Sequence, residues 1–258
     1  MTYLFFTDLD GTLLDYDTHS YKQALEGITM LREKSYQLVF VSSKTFPEIK
    51  VLHEELGMVS PFIFENGGGV CWPDGVIEYL GGDVSELRRR KNILEAAFRE
   101  PVWFITDMDI GEIARRTGLT RELAKLAQQR SASLPFILPS GRPFDTDELP
   151  RLNSELLQKG LAVTKGDRFF HFMPADVDKG KAVIRLIEYY RRGHNGEICT
   201  VGIGDSENDI AMLREVDIPV VVKKRDGSVI ETGIENIRVT EGIGPRGFSE
   251  AVKMIIVP

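Results

Sequence analysis

An apolar strand that ends in two carboxylates constrains this chain more than any other stretch. Tyr3-Leu4-Phe5-Phe6 is a continuous apolar run, which predicts a buried β-strand, and Asp8-Leu9-Asp10-Gly11-Thr12 follows it. At the carboxyl end of a parallel strand, such a turn directs polar groups into the crevice where open α/β sheets bind ligands. Because like charges a few ångströms apart repel, Asp8 and Asp10 need a cation or a proton nearby.

Other interpretations of this acidic turn are open at this point. A calcium loop would need further oxygen ligands and a closing glutamate, which residues 12–19 do not supply in order. An Asp-x-Asp pair also clamps metal in sugar-nucleotide transferases, and Asp-Gly marks ordinary turns. The position directly after the first apolar strand favours chemistry over a plain turn.

Composition narrows the class of protein. The 258 residues carry a formal net charge of -7, which argues against a nucleic-acid partner. Cys71 and Cys199 show no metal-ligand spacing, so two free thiols in a reducing compartment are expected. Because no signal peptide precedes the first strand and no apolar run approaches the length of a membrane span, a cytoplasmic protein without a membrane partner is predicted.

Strand and helix patterns alternate at the start of the chain. A second strand, Gln37-Leu38-Val39-Phe40-Val41, ends in Ser42, so Ser42 should emerge at the same sheet edge as Asp8. Thr45 and Glu48 predict a capping box for the next helix. A similar box at Ser20-Tyr21-Lys22-Gln23 predicts an earlier helix, whose apolar face is Ala24, Leu25, Ile28 and Leu31.

A middle block interrupts this pattern. From residue 83 to 172, helical segments alternate with short strands, and Lys165-Gly166-Asp167 predicts a hairpin turn. The parallel pattern resumes with a helix that begins near Lys179. The sequence therefore predicts an α/β protein: a Rossmann-like, doubly wound parallel sheet core formed by residues 1–82 and 173–258, with an inserted α+β cap domain at 83–172.

Four polar clusters follow strands or begin a helix. They are Asp8/Asp10, Ser42, Lys179 and Asp205/Asp209. Phosphoryl transfer needs such parts, namely a nucleophile, a proton donor, phosphate-binding groups and a hard cation. Mg²⁺ fits because it takes oxygen ligands and few protein carboxylates. No P-loop motif is present, which argues against a nucleotide site of that type.

Each cluster also has a structural alternative. Asp209 could simply cap its own helix with Ser206, and Lys179 could be a solvated lysine. A cation is disfavoured at a helix N-terminus, however, and an opposing anionic site would resolve that conflict. Ser42 alone is weak evidence, since serine is common at strand ends. The glycine-rich turn Glu65-Asn66-Gly67-Gly68-Gly69 fits either a plain hairpin or a close backbone approach.

Taken together, these clusters resemble the haloacid dehalogenase-like phosphatases. All four motifs of that superfamily occur in order: Asp8-Leu9-Asp10-Gly11-Thr12, Ser42, Lys179 and Gly204-Asp205-Ser206-Glu207-Asn208-Asp209. The inserted block is similar in position and size to the cap of the Cof-like sugar phosphatases. The chain is therefore identified as a member of that capped branch.

Shorter strings resemble the mannosyl-3-phosphoglycerate phosphatase family within this branch. They are Ser42-Ser43-Lys44-Thr45, Glu65-Asn66-Gly67-Gly68, Thr117-Gly118-Leu119 and Arg168-Phe169-Phe170-His171. That family usually has an Arg-aromatic-x-Glu-Pro string before a cap strand. This chain instead reads Arg130-Ser131-Ala132-Ser133-Leu134-Pro135 and lacks the glutamate.

The resemblance implies a mechanism. Asp8 attacks phosphorus and forms an aspartyl-phosphate, and Asp10 protonates the leaving alkoxide and then deprotonates the hydrolytic water. Mg²⁺ is held by Asp8, by the backbone carbonyl of Asp10 and by Asp205.

Other residues bind or orient the substrate. Ser42 and Lys179 bind the remaining phosphoryl oxygens, and Asn208 and Asp209 orient the metal's water ligands or Lys179. The residues expected to contact the rest of the substrate are Lys44, Asn66, Lys165, Arg168 and His171. Alternation along the predicted strand 168–172 allows only one of Arg168 and His171 to face the substrate easily, unless a bulge intervenes. His171 is then either a substrate ligand or a neutral, hydrogen-bonded histidine.

Three functions follow from these observations. The first is a Mg²⁺-dependent phosphatase acting on mannosyl- or glucosyl-3-phosphoglycerate in compatible-solute biosynthesis. The second is a phosphatase of wider range, acting on simple sugar phosphates or a sucrose-phosphate-like ester. The third is a regulatory module that binds a phosphosugar without turnover, which has no need of both Asp8 and Asp10. A small phosphorylated sugar derivative is the expected ligand in every case, and the sequence does not indicate an oligomeric state.

Overall fold

The computed structural model describes residues 2–141, 148–166, 168–194 and 196–257, and its strands form two separate sheets. The strands are β1 (Thr2–Thr7), β2 (Gln37–Val41), β3 (Phe62–Phe64), β4 (Gly69–Cys71), β5 (Ile77–Tyr79), β6 (Trp103–Phe104), β7 (Leu134–Ile137), β8 (Leu161–Lys165), β9 (Phe170–Pro174), β10 (Ile198–Gly204), β11 (Ile218–Lys223) and β12 (Arg238–Ile243).

The helices of the described ranges occupy the connections between these strands. They are α1 (Leu25–Glu33), α2 (Phe46–Glu55), α3 (Val84–Arg89), α4 (Lys91–Phe98), α5 (Ile110–Thr117), α6 (Arg121–Ala127), α7 (Leu149–Leu157), α8 (Lys179–Gly193), α9 (Ile210–Arg214) and α10 (Gly244–Ile256). None of the described helices is both long enough and apolar enough to cross a lipid bilayer.

The larger sheet is doubly wound. Its strand order is β12-β11-β10-β1-β2-β3-β4-β5, and the pairings from β12 through to β3 are all parallel. Phe5 of β1 packs in one core cluster with side chains of α1, α2 and α10, whereas Leu4 and Phe6 pack in another with α8 and α9. Helices therefore cover both faces of the sheet, which confirms the predicted α/β fold class.

Burial on both faces explains why β1 is apolar at successive positions. Leu4, Phe5 and Phe6 are almost completely buried. Burying a leucine or phenylalanine side chain fully contributes roughly 1.5–3 kcal/mol. These three residues therefore hold the central strand, and with it the position of Asp8, in a rigid part of the molecule.

The smaller sheet belongs to the middle of the chain. It is antiparallel in the order β6-β7-β9-β8. One face packs against α3, α4 and α7, and the other against α5 and α6. Strand β9 continues to Pro174, two residues past the expected end of the cap. We keep the division into a core of residues 1–82 and 173–258 and a cap of 83–172 as a proposal.

The first helix differs from the prediction at its start. The Ser20 capping box is absent: a 3₁₀ turn at Lys22–Ala24 precedes α1, and its N-cap is Tyr21 without a side-chain hydrogen bond. This turn shifts the helical register, so that Ala24, Ile28 and Leu31 are buried while Leu25 is 40% exposed. The capping box of Thr45 and Glu48 is present on α2, as predicted.

Candidate active site

The carboxyl ends of β1, β2 and β10 bring three polar residues to one edge of the larger sheet. Asp8 follows β1, Ser42 follows β2 and Asp205 follows β10, and these three strands are parallel neighbours. The Asp8 N–H donates to the Ile203 carbonyl at 2.9 Å, and the Ser42 N–H donates to the Ile63 carbonyl at 3.0 Å. Asp8, Ser42 and Asp205 are all buried. The hydrogen bonds of the sheet thus fix the backbone positions from which these side chains extend.

Lys179 begins α8 and joins two carboxylates. Its Nζ donates to Asp8 Oδ1 and to Asp209 Oδ1, both at 2.6 Å, and its side chain is completely buried. Burial acts to lower the pKa of Lys179, but the Asp209 and Asp8 carboxylates outweigh it and raise the pKa, so the ammonium stays charged. The unfavourable position of a cation at a helix N-terminus is therefore offset by two buried anions.

The glycine-rich turn after β3 touches the start of α8. Strands β3 and β4 pair antiparallel, so the turn does form a hairpin. It also makes a close approach, because Gly67 has φ +94° and a Cβ there would lie 2.1 Å from the Asp178 carbonyl oxygen. Only glycine fits this contact. Both interpretations of the turn are therefore realised, and the contact helps to place Lys179.

Asp205 is held by the loop that contains Gly11 and Thr12. Thr12 Oγ1 donates to Asp205 Oδ1 at 2.7 Å. Gly11 has φ +83°, and a Cβ there would lie 2.7 Å from Asp205 Oδ2, so a side chain would push this carboxylate away. On the other side, Asp209 Oδ2 accepts the N–H groups of Asp205 and Ser206, both at 3.0 Å. Asp209 thus caps its own short helix and also binds Lys179.

Three buried carboxylates at this edge fit a divalent cation. One oxygen from each of Asp8, Asp205 and Asp209 lies within 4.8 Å of the other two. Three buried carboxylates beside one buried lysine leave excess negative charge, which is costly unless a cation balances it. Carboxylate and carbonyl oxygens are the hard ligands that Mg²⁺ takes. The donor set is therefore chemically suited to a divalent metal.

The ionisation of Asp8 is sensitive to such a cation. Burial is the largest influence and raises the pKa of Asp8 to about 8, although Lys179 acts in the opposite direction. A divalent cation beside Asp8 would favour the ionised form of this carboxylate.

Asp10 lies between two basic side chains. Lys44 Nζ is 2.9 Å from Asp10 Oδ2, and His19 Nδ1 is 3.5 Å from Asp10 Oδ1. Burial alone would raise the pKa of Asp10, but Lys44 outweighs it and holds the pKa well below its usual range. Burial acts to lower the pKa of Lys44, and Asp10 and Glu48 together raise it above its usual value. Lys44 therefore neutralises Asp10 in this structure.

A small cavity connects the sheet edge to the cap. Its volume is about 100 Å³, and both Asp8 and Asp10 line it from the core. Arg130, Arg168 and His171 line it from the cap. A larger cavity of about 860 Å³ opens at the opposite edge of the sheet, beside the amino ends of β1 and β10, and it is not lined by any of these residues.

Arg168 and His171 both line this cavity, contrary to the alternation predicted from the sequence. The strand begins only at Phe170, so Arg168 lies in the turn and strand alternation does not apply to it. Arg168 Nη2 donates to the Tyr16 carbonyl at 2.6 Å, and its guanidinium lies 4.1 Å from the centre of the Tyr16 ring. The Gly166 N–H donates to the Phe169 carbonyl and closes the hairpin. The third residue of the predicted turn, Asp167, lies outside the described residues.

His171 is neutral in this environment. Burial is the main cause that lowers its pKa to about 3, and the positive charges of Arg130 and Lys179 act in the same direction. Its Nδ1 is buried and has no hydrogen-bond partner in the described part of the chain. In a neutral imidazole one ring nitrogen donates a hydrogen bond and the other accepts one, so His171 can do either toward the cavity according to its tautomer.

Of the remaining predicted residues, one lines the cavity and two do not. Asn208 lines it, and its Nδ2 donates to Asn66 Oδ1 at 3.0 Å. Asn66 is itself buried behind Asn208, and its Nδ2 has no partner among the described residues. Neither Asn66 nor Lys165 is among the described residues that line the cavity.

His19 and Glu65 were not assigned a role from the sequence. His19 contacts Asp10 as described above, yet a lone histidine in a loop carries no local signal of function. Glu65 was noted only within a family string, yet it is fully buried and its carboxylate accepts the N–H groups of Ser131, Ala132 and Ser133 at 2.7–3.0 Å. These contacts connect segments far apart in the sequence, and only folding reveals them.

Comparison with known proteins identifies the family of this chain. The sequence profile described as haloacid dehalogenase-like hydrolase matches residues 5–101 and 144–232. A protein named glucosyl-3-phosphoglycerate/mannosyl-3-phosphoglycerate phosphatase from Methanococcoides burtonii is 38% identical, covering 99% of this chain and 98% of its own length. A protein with the same name from Persephonella marina is 34% identical, covering 97% of this chain and 96% of its own length.

Solved structures share the fold at lower identity. A protein from Thermoplasma acidophilum aligns with a TM-score of 0.67 at 22% identity, over 98% of both chains. The sucrose-phosphatase from Synechocystis, solved with sucrose and phosphate, aligns with a TM-score of 0.67 at 16% identity, again over 98% of both chains. These two similarities concern the fold alone.

Proposed function

The chain belongs to the haloacid dehalogenase-like hydrolase family, and we propose that it is a divalent-metal-dependent phosphatase acting on glucosyl- or mannosyl-3-phosphoglycerate. The products are the glycosylglycerate, a compatible solute, and inorganic phosphate. The observation that carries this proposal is the near full-length match to two phosphatases of that name. The buried Asp8–Lys179–Asp209 arrangement beside Asp205 and Asp10 supports the chemistry.

The first step transfers the phosphoryl group to Asp8. Lys179 holds Asp8 Oδ1, and the described residues offer no hydrogen bond to Oδ2, which is therefore available to attack phosphorus. A bond forms between Oδ2 and phosphorus, and the bond from phosphorus to the leaving alkoxide breaks. Asp10 donates a proton to that alkoxide. Asp10 must be protonated for this role, and we expect the negative charge of the bound substrate phosphate to favour its protonated form.

The second step returns the enzyme to its starting state. The ionised Asp10 takes a proton from a water molecule, whose oxygen attacks phosphorus. The bond between phosphorus and Asp8 breaks, and inorganic phosphate leaves. Residues of the cap line the cavity, and we expect them to limit the access of bulk water in the first step. A cavity of about 100 Å³ is smaller than the 300–1,000 Å³ typical of ligand sites, so the cap must open for the substrate to enter.

The metal site and the phosphate site share residues. Asp8, the backbone carbonyl of Asp10 and Asp205 would hold Mg²⁺, which, when bound, neutralises charge on the phosphoryl oxygens. Ser42 and Lys179 bind the other phosphoryl oxygens. Asp209 keeps Lys179 in place, and Asn208 orients groups at the cavity wall.

Cap residues and Lys44 recognise the rest of the substrate. We assign the substrate carboxylate or sugar to Lys44, Arg168 and His171, which all line the cavity. Asn66 acts through Asn208, to which it is hydrogen bonded. Lys165 stays a proposed substrate contact, although it is not among the described residues that line the cavity. Cytoplasmic location is proposed as well, since Cys71 and Cys199 are both free thiols.

A phosphatase of wider sugar-phosphate range is the second candidate. It is favoured by the stretch from Arg130 to Pro135, which lacks the glutamate of the usual family string. In this structure Arg130 pairs with Glu65 of the core at 3.4 Å instead.

A panel of phosphate esters assayed with Mg²⁺ tests the proposed function. We expect kcat/KM for the two glycosyl-3-phosphoglycerates to exceed that for simple hexose phosphates by at least about 100-fold, since each well-placed polar contact to substrate is worth an order of magnitude or more. EDTA should abolish the activity and Mg²⁺ should restore it. Comparable values for hexose phosphates would support the wider candidate. If no ester released phosphate, the result would support the module that binds a phosphosugar without turnover.

A further inference from the structure

His19 lies between the cap and the catalytic Asp10, and we propose that it positions the Asp10 carboxyl when the cap is closed. This inference rests on the proposed function and extends it to a residue outside the four motifs. His19 belongs to the loop that follows β1, whereas its partner Thr117 is the last residue of the cap helix α5. A single side chain therefore contacts both the moving part and the reacting group.

The contact with the cap fixes the imidazole ring. His19 Nε2 is 3.0 Å from the Thr117 carbonyl oxygen. A carbonyl oxygen can only accept, so Nε2 carries the proton and donates it in this bond. The last carbonyls of a helix have no partner within the helix and need one from outside. His19 supplies that partner, so the interaction is specific to the closed position of α5.

The contact with Asp10 uses the other side of the same ring. His19 Nδ1 is 3.5 Å from Asp10 Oδ1, and both atoms are buried without a hydrogen-bond partner in the described residues. Lys44 binds the second oxygen of Asp10 at 2.9 Å. Lys44 therefore binds the carboxyl group, whereas the imidazole makes no hydrogen bond to it and limits its rotation by packing beside Oδ1. Removing the ring would leave one side of Asp10 open to rotation.

The backbone of the loop is arranged to present His19. Its φ is +55°, a left-handed conformation that is uncommon for residues other than glycine. The His19 N–H donates to the Asp15 carbonyl at 2.8 Å, and the Asp15 carboxylate accepts from the Thr18 N–H and hydroxyl. Strained backbone that surrounding contacts hold in place is frequent at functional sites. Here the strain turns the ring toward both Asp10 and Thr117.

These two contacts couple the closing of the cap to the position of the Asp10 carboxyl. When the cap opens to admit substrate, the Thr117 carbonyl leaves and the ring loses its anchor. Asp10 is then held by Lys44 alone. When the cap closes, the ring returns and Asp10 is placed for proton transfer, so that proton transfer is favoured only in the closed site.

Three substitutions separate the two contacts. His19→Ala removes both of them. His19→Gln keeps an amide nitrogen at the reach of Nε2 and so preserves the link to Thr117, whereas His19→Asn keeps one only at the reach of Nδ1, beside Asp10. His53→Gln is the matched control. His53 Nε2 makes a similar bond of 2.8 Å to the Ser60 carbonyl, and neither residue lines the cavity.

We expect His19→Ala to lower kcat by about 10- to 100-fold, the cost of misplacing a catalytic group, while KM changes less than about threefold. Because the coupling needs both contacts, Gln and Asn should each remain at least about fivefold below the wild-type kcat. His53→Gln should keep the wild-type kcat. Wild-type kcat in His19→Ala, or full rescue by either single-contact variant, would overturn the coupling.

Amide hydrogen exchange provides a readout that does not need turnover. Exchange in the segment 110–127 should be faster in His19→Ala and His19→Asn than in the wild type and in His19→Gln. Equal exchange in all four proteins would overturn the cap contact, even if the wild type hydrolysed no ester. Absence of wild-type activity with the expected exchange pattern would instead count against the proposed function and leave the link to the cap supported.

Discussion

Asp8→Asn is expected to lower kcat on glycosyl-3-phosphoglycerates by on the order of 10⁴-fold or more, as removal of a nucleophile does in other covalent mechanisms. An amide oxygen is a poor nucleophile and cannot form the acyl phosphate. The fold should persist, because asparagine has nearly the same shape and its oxygen can still accept from Lys179, which lies 2.6 Å from Asp8 Oδ1. Steady-state kinetics and thermal unfolding of the same preparation measure both effects.

The matched control is Asp74→Asn, which makes the same chemical change in the exposed turn between β4 and β5. It should leave kcat within about twofold of the wild type, as expected for a surface substitution away from the site. If Asp8→Asn retained a tenth or more of the wild-type kcat, with its mass confirming that the amide is intact, Asp8 could not be the nucleophile.

Lys179→Met has the second largest expected effect, because it acts on stability as well as activity. It leaves the carboxylates of Asp8 and Asp209 buried without their common partner, whose Nζ lies 2.6 Å from each. Breaking a buried ion pair by removing one partner costs about 3–5 kcal/mol. Unfolding by denaturant should show a loss of this size, and activity should fall below detection because Lys179 is also the proposed ligand of the phosphoryl group.

Two further variants make the Lys179 result specific. Lys181→Met alters a half-exposed lysine on the same helix and should change stability by less than about 0.5 kcal/mol. The double variant Lys179→Met/Asp8→Asn removes one of the stranded carboxylates and should recover about 0.5–3 kcal/mol relative to Lys179→Met alone. No recovery in the double variant would mean that the ion pair of Asp8 and Lys179 makes no measurable contribution to the free energy of unfolding.

The positions of the core residues could be predicted because each residue is tied to a local pattern. Asp8 and Asp205 follow apolar strands, and parallel strands deliver their carboxyl ends to one edge whatever the details of packing. Lys179 lies at the start of a helix, where a positive charge is unfavourable unless anions face it. This led to the prediction of an anionic site opposite Lys179, and the structure has the Asp8 and Asp209 carboxylates there.

The cap side could not be predicted in the same way. Strand alternation predicted that Arg168 and His171 lie on opposite faces, but the strand begins only at Phe170. The Arg168 guanidinium lies against Tyr16 of the core. His19 and Glu65 act through partners about 65 to 100 residues away in sequence. Contacts of this kind depend on how the cap packs on the core, and no periodicity in the chain encodes them.

The central claim is that Asp8 carries the phosphoryl group covalently, and Asp10→Asn with p-nitrophenyl phosphate tests it most directly. This ester has a good leaving group and needs no proton donor in the first step, whereas the second step still needs Asp10 as a base. We predict a burst of about one p-nitrophenolate per active site, little turnover afterwards, and, after acid quench, phosphate attached to the peptide that contains Asp8. Equal release of p-nitrophenolate and phosphate, with no phosphoryl group on Asp8, would contradict it.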